Sequence, residues 1–232
     1  MESWEIIRSV PYILGGGLYT ILLVVGALAL GFAIGLPLAA LEAYGPRPLA
    51  KLLGVYVWFF RGVPILVLLF LVFFGLYSSI ESFILSHFGA RVSFSPFSAS
   101  LLALGLASSA YQSQIFRGAI LSLPRGQFKA ALALGFSRPG AVLYVVLPQA
   151  LRLSIPGWTN EFSILLKDSA VAYVLGTMEI MARAKILATF TYRHVAYYAL
   201  AGVLYFALTF LGVRLLRYIS RETRIPGLGQ EI

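Results

Sequence analysis

Long apolar stretches alternate with short basic segments along this 232-residue chain. About 20 apolar residues in a helix cross the roughly 30 Å hydrocarbon core of a membrane. By that length, the pattern predicts five membrane-spanning helices, over residues 18–42, 54–80, 94–118, 152–178 and 195–217. The fourth is the least apolar because it contains Asn160, Glu161, Lys167 and Asp168. Polar groups at membrane depth are costly, so this helix has to face protein or water rather than lipid.

Composition supports a membrane protein. Hydrophobic residues make up 59% of the chain and charged residues only 12%, against about 25% in a soluble domain. This excludes a soluble enzyme. The chain has no cysteine and two histidines, which excludes disulfides, a thiolate nucleophile and cysteine-based metal sites. The expected fold is all-α, a single transmembrane domain over residues 1–232 that contacts membrane lipid and no nucleic acid.

The basic residues indicate an orientation. They concentrate around residues 47–61, 117–152 and 214–224, including Arg224, and are fewer near residues 91 and 183–193. Because cytoplasmic loops are enriched in Lys and Arg, this asymmetry predicts an N-terminus outside and a C-terminus inside. The expected location is the plasma (inner) membrane of a prokaryote. Residues 3–14 place Trp4, Ile7 and Val10 on one side, so they form either a helix in the membrane interface or a flexible tail.

A short helix is predicted between the third and fourth spans, over about residues 124–135. Pro124 suits the start of a helix and Gly135 suits its end in the left-handed conformation. The eleven residues from Pro124 to Leu134 reach only about 16 Å, half of the thickness of a membrane. The basic residues Arg125, Lys129 and Arg138 place this helix on the cytoplasmic side. It either supports the spans or docks a cytosolic partner.

Four segments then carry a family resemblance. QFKAALALGFS and VVLPQALR, within residues 127–152, resemble the EAA loop of ABC importer permeases. VWFFRGVPILVLLF (57–70), SSAYQSQIFRGAILSLPRGQ (108–127) and NEFSILLKDSAV (160–171) are similar to segments of the polar amino acid permeases, the histidine/glutamine/arginine type. The resemblance covers roughly residues 17–217. It departs from the usual pattern at Lys129 and Gln114, where the family has Glu.

The resemblance implies partners. Two permease subunits, identical or different, would form the pathway, and two cytosolic ATP-binding cassette subunits would hold ATP and Mg. An extracytoplasmic solute-binding protein would deliver a small polar amino acid. The short helix would then be the coupling helix. Its contacts with the ATPase would come from Arg125, Gly126, Phe128, Lys129, Ala130, Ala131, Leu134 and Gly135.

The polar residues of the fourth span are candidates for the substrate pathway. Glu161 and Asp168 are seven residues apart, so they lie within about 20° of one helix face, and Asn160 and Lys167 repeat this relation on the neighbouring face. Both faces are expected to turn toward the subunit interior. Thr159, Asn160 and Glu161 either line a transient substrate site or, for the charged groups, form structural pairs.

Three residues elsewhere are further pathway candidates. Pro64 predicts a bent entry to the second span, with Arg61 either gating the cytoplasmic mouth or extending to the interface. Gln112 and Gln114 either line the pathway or form hydrogen bonds between helices.

Gly31 and Gly35 form a GxxxG pair, which indicates close helix packing within the subunit or between subunits.

The chain contains no G-x-x-x-x-G-K-[ST] phosphate loop, so it is expected to be a transport subunit without its own ATPase site or cofactor. The leading hypothesis is the permease subunit of an ATP-driven amino acid importer. An ion-coupled secondary carrier, with Glu161 and Asp168 as proton or sodium groups, is the alternative. A membrane scaffold is the third hypothesis, and it gives no reason for polar residues inside a span.

Overall fold

The computed structural model describes the backbone of residues 2–223 and the side chains of residues 8–223. Arg224 and the side chains of Trp4 and Ile7 lie outside the described residues. Within the described part the chain is helical, and no strand occurs. The eight helices are α1 (Glu2–Tyr44), α2 (Arg47–Gly62), α3 (Ile65–Phe88), α4 (Pro96–Ser122), α5 (Arg125–Ala133), α6 (Arg138–Leu175), α7 (Ile180–Thr191) and α8 (His194–Glu222).

Four helical stretches of the described chain are long and apolar enough to cross a membrane. They are Arg8–Tyr44, Ile65–Phe88, Arg138–Leu175 and His194–Glu222. Helix α4 coincides with the predicted third span but is not among the four. It has 27 residues, many of them Ser, Gln and Gly, and 14 of them are buried by neighbouring helices. A helix enclosed by protein does not need an apolar surface toward lipid.

The N-terminal segment is part of the first long helix. α1 runs for 43 residues without interruption, although it contains Pro11 and Pro37. At 1.5 Å per residue it extends about 65 Å, well beyond the membrane core. The backbone of residues 3–14 is therefore a continuous part of α1, so the expectation of a flexible tail is wrong, and a position in the membrane interface stays a prediction.

Helices α1 and α4 pack closely because α1 has glycines where they meet. A Cβ atom at Gly35 would lie 2.7 Å from the backbone oxygen of Ser109, and one at Gly31 would overlap the side chain of Gln112. The predicted close packing thus occurs within the subunit. Around this contact, Leu23, Val24 and Leu104 form a buried cluster with residues of α6.

The second predicted span consists of two helices. Val63 and Pro64 adopt extended backbone conformations (φ −86°, ψ 130° and φ −57°, ψ 140°), and they separate α2 from α3. Pro64 cannot donate a backbone hydrogen bond, which explains the break at this position. The predicted bend is therefore observed. α3 contains a π-helical turn, Leu71–Tyr77.

The short helix α5 begins and ends close to the predicted residues. Pro124 precedes its first turn, and Gly135 follows it with φ +88°. The amide of Phe136 donates to the carbonyl of Ala131 (3.1 Å), and the amide of Gly135 donates to that of Leu132 (3.0 Å). This pair of bonds is the Schellman motif, and the left-handed conformation it requires favours glycine.

Candidate functional site

Glu161 lies in the interior of the subunit. Its side chain is 3% exposed, and Oε1 accepts a 2.7 Å hydrogen bond from the hydroxyl of Ser108. Glu161 belongs to α6 and Ser108 to α4, so the bond joins two helices of the bundle. A carboxylate away from water needs such a donor, because an unpaired buried charge is strongly destabilising.

Gln112 extends this hydrogen-bond network across three helices. Its side chain is 0% exposed, and Nε2 donates to the carbonyl of Leu28 on α1 (3.1 Å) and to the hydroxyl of Ser108 (3.0 Å). Its Oε1 accepts from the indole of Trp158 on α6 (2.7 Å). Trp158, Gln112, Ser108 and Glu161 thus form one continuous chain of donors and acceptors. In this conformation Gln112 forms hydrogen bonds between helices, which was the alternative to lining the pathway.

Two further pathway candidates also have partners within the subunit. The hydroxyl of Thr159 is bonded to the carbonyl of Ile155, one turn earlier in α6 (2.8 Å). Gln114 donates to the carboxylate of Glu42 near the end of α1 (2.7 Å). Glu42 was not among the candidates from the sequence, although an acidic residue at the end of an apolar helix is an available signal.

The neighbouring face of α6 is exposed in this subunit. Asn160 and Lys167 are exposed and Asp168 is half-buried, while Glu161 is buried. The expectation that both faces turn toward the subunit interior is therefore wrong for Asn160 and Lys167. Each residue step rotates the helix by 100°, so burial of Glu161 leaves Asn160 at the boundary of the packed surface.

Arg61 lies at the end of α2, immediately before the break at Pro64. Its side chain is exposed, and its guanidinium lies 5.0 Å from the centre of the Tyr111 ring. The hydroxyl of Tyr111 in turn donates to the backbone carbonyl of Arg61 (3.5 Å). A cation over an aromatic face is attracted to it. This contact holds Arg61 against α4, on the exposed surface of the bundle.

A second buried carboxylate was not anticipated from the sequence. Glu179 is fully buried before the first turn of α7, where it accepts bonds from the amides of Ala182 (2.6 Å) and Met181 (2.8 Å). The hydroxyl of Tyr205 on α8 donates to the same carboxylate. An acidic residue directly before a helical run is a recognisable capping signal, so the cap could have been predicted and the Tyr205 partner could not.

Helix α5 presents one side to the bundle and the other to the exterior. Ala131 is 3% exposed, and Phe128 stacks on Tyr44 of α1 with ring centres 4.8 Å apart. The assignment of Ala131 to an external docking surface is therefore corrected, because its side chain is buried within the subunit, whereas Phe128 is half-buried and its docking role stays a prediction. The remaining candidates are exposed: Arg125, Gly126, Lys129, Ala130, Leu134 and Gly135.

A family model described as a binding-protein-dependent transport system inner membrane component matches residues 31–225. The chain belongs to this family. The match includes the polar network on α4 and α6 and the whole of α5. It identifies the chain as a membrane permease of an ABC importer, distinct from the ATPase subunit.

Individual relatives cover most of the permease. It is 35% identical to the arginine ABC transporter permease protein ArtQ of Haemophilus influenzae, over 84% of this chain and 85% of that protein. It is 34% identical to the nopaline transport system permease protein NocM of Agrobacterium fabrum, over 93% and 89%. A chain in the crystal structure of an amino acid ABC transporter with histidines superimposes with a TM-score of 0.79 at 30% identity, over 96% and 99%. The methionine transporter MetNI, at 21% identity and a TM-score of 0.70, shares the fold.

Proposed function

We propose that this permease is the membrane subunit of an ATP-driven importer of a small polar amino acid. The observation that carries the proposal is the 35% identity, over 84% of the chain, to a permease named for arginine transport. Relatives named for nopaline and for amino-acid transport support the same substrate class. An ion-coupled secondary carrier is disfavoured, because the matched family works with binding proteins.

The importer consists of two permease subunits, two ATP-binding subunits that hold ATP and Mg, and an extracytoplasmic solute-binding protein. Each permease subunit has five spans, with α4 as the enclosed fifth, and has its N-terminus outside and its C-terminus inside. The burial of α4 between α1 and α6 supports the proposal that α4 crosses the membrane without contacting lipid. The second permease subunit covers the exposed face of α6. The whole chain acts as one transmembrane domain.

Helix α5 is the coupling helix of this importer. Phe128 and Ala131 fix it to the end of the bundle, so that a displacement of α5 moves α1 with it. The opposite side presents Ala130 and Lys129, and Leu134 is 80% exposed at the end of the helix. Small and apolar side chains on a rigidly attached helix suit a groove on a partner. Lys129 on this side either faces an acidic group of the ATPase or stays exposed to solvent in the complex.

The substrate pathway runs along the exposed face of α6. Asn160 on this face and the half-buried carboxylate of Asp168 at its edge contact the polar groups of the amino acid, and Arg61 lies beside the cytoplasmic mouth. The buried Glu161, Gln112 and Thr159, together with the half-buried Gln114, hold the helices that carry these groups. This division is supported by the hydrogen bonds, since each of these four side chains is bonded within the subunit, whereas Asn160 is exposed and Asp168 is half-buried.

Uptake into proteoliposomes tests the proposal. The vesicles contain the permease and its ATPase, with ATP inside, and receive labelled arginine together with the solute-binding protein. Accumulation should require both ATP and the binding protein. Asp168→Asn should lower uptake at least about tenfold, whereas Glu81→Gln, at a carboxylate of α3 that is not part of the proposed pathway, should not. Uptake driven by a proton or sodium gradient alone would refute the importer.

A further inference from the structure

The last helix, α8, has three arginines on one side of its C-terminal half. With 100° per residue, Arg214, Arg217 and Arg221 fall within an arc of about 60°. All three are exposed. The packed side of α8, which includes Tyr205 and Gly212, lies roughly 150–170° away. The arginines therefore point directly away from the subunit's own bundle.

The same side of α8 is apolar nearer its N-terminus. Val203, Phe206 and Phe210 lie on this side and are exposed. Arg214 is 20 residues beyond the start of the helix, or about 30 Å, which is the thickness of the hydrocarbon core. One continuous face thus changes from exposed apolar to exposed basic residues at the depth where lipid tails end and headgroups begin.

The basic part of this face forms a groove of about 460 Å³, lined by Phe210, Val213, Arg214, Arg217, Tyr218 and Arg221. The guanidinium of Arg214 lies 5.9 Å from the centre of the Phe210 ring. This contact orients the arginine toward the groove. No carboxylate is among the described residues that line it.

We propose that this groove binds the phosphate headgroup of an anionic phospholipid. Guanidinium groups match phosphate oxygens in paired, charge-assisted hydrogen bonds. The acyl chains of the same lipid lie along Val203, Phe206 and Phe210, and the ring of Tyr218 sits at the headgroup level, where Tyr is enriched. The site rests on the proposed inward C-terminus, because the cytoplasmic leaflet supplies the anionic lipid.

A lipid explains the face better than a second subunit does. A protein partner would have to bury three arginines and three exposed apolar residues in one contact, with matching acidic and apolar surfaces at the correct depths. A single phospholipid has that arrangement within one molecule. Charge complementarity and the order of apolar and basic residues along the helix therefore favour the lipid.

Native mass spectrometry of the complete chain in detergent tests the site. The probes are phosphatidylglycerol and phosphatidylcholine with identical acyl chains. The variant R214Q/R217Q/R221Q is compared with the control R47Q/K51Q/R152Q, which removes the same charge from other exposed positions. Each basic residue near a membrane surface contributes a factor of about five, so the triple variant should bind phosphatidylglycerol about 100-fold more weakly. The control should bind it like the wild type.

Several results would overturn the site. These are equal binding of the two lipids, an equal loss in both triple variants, or displacement of phosphatidylglycerol by inorganic phosphate, which would indicate a free-anion site. A changed oligomer mass with unchanged lipid binding would assign the face to a second copy. If the triple variant fails to fold, R217Q alone should give about a fivefold loss, and an unchanged affinity would contradict the proposal. The assay uses no ATP, substrate or binding protein, so its outcome is independent of uptake.

Discussion

Ser108 donates a 2.7 Å hydrogen bond to the carboxylate of Glu161, and this bond fixes α4 against α6 in the interior of the subunit. The hydroxyl is itself held by Gln112, which also contacts α1 through the carbonyl of Leu28. Three helices therefore meet at one buried acidic group. Glu161 therefore holds the bundle together. Its neighbour Asn160 is exposed.

Replacing Ser108 with Ala should destabilise the bundle. Hydrogen bonds between membrane helices average about 0.6 kcal/mol, but this change leaves a buried carboxylate without its donor, so we expect a loss of about 1–2 kcal/mol. Denaturant unfolding of the chain in mixed micelles measures the change. Ser122→Ala, at an exposed position of the same helix, is the control and should shift stability by less than about 0.5 kcal/mol. Equal effects of the two substitutions would contradict the role of Ser108.

Much of the fold followed from local signals in the sequence. Pro64 predicted the break between α2 and α3, and Pro124 and Gly135 predicted the ends of α5. Each of these residues restricts its own backbone, so no knowledge of distant contacts is needed. The length of α1 was not predicted, because Pro11 is a local signal for a helix end, yet the helix continues through it.

The orientation of side chains within the site could not be read in the same way. Ala130 and Ala131 are equally apolar, yet one is exposed and the other is buried against the bundle. Asn160 and Glu161 are also neighbours in the sequence, and the one that can carry a charge, Glu161, is buried while the neutral Asn160 is exposed. Burial of Glu161 depends on Ser108, 53 positions away in the sequence, and such pairings leave no local pattern.

Replacing Gly35 with Ala should disrupt the contact between α1 and α4. The added methyl group would meet the backbone oxygen of Ser109, which cannot rotate away, so overpacking should cost about 1–3 kcal/mol. Thermal unfolding in detergent measures the loss. Gly118→Ala is the matched control, since a Cβ atom there meets nothing within 4 Å. Because Ala favours a helix, the control should stabilise the protein by up to about 1 kcal/mol.

Replacing Ala130 with Glu should prevent ATPase binding while leaving the subunit folded. Ala130 is exposed on α5, so a carboxylate there changes only the outer surface. Ala131→Glu should instead lower thermal stability, since it places a charge in the core. Co-purification with the ATPase and a melting curve separate the two effects.

Ala90→Glu, an exposed position in the loop before α4, is the control for that experiment and should change neither measurement. Retention of the ATPase by the Ala130 variant would remove α5 as the docking element. Gly135→Asp is unsuitable as a docking probe, because the residue at this position has φ +88° and a side chain there would strain the helix end.

Replacing Tyr205 with Phe should loosen the start of α7. The tyrosine hydroxyl donates to Glu179, whose carboxylate also holds the amides of Met181 and Ala182. Without that donor the carboxylate is less firmly fixed, and a loss of about 1–2 kcal/mol should raise hydrogen exchange at these two amides by about 5–30-fold. Tyr198→Phe, on an exposed position of α8, removes the same atom without touching Glu179 and should leave exchange unchanged. Faster exchange throughout α8 with no change at the two amides would show that Tyr205 stabilises its own helix and not the α7 cap.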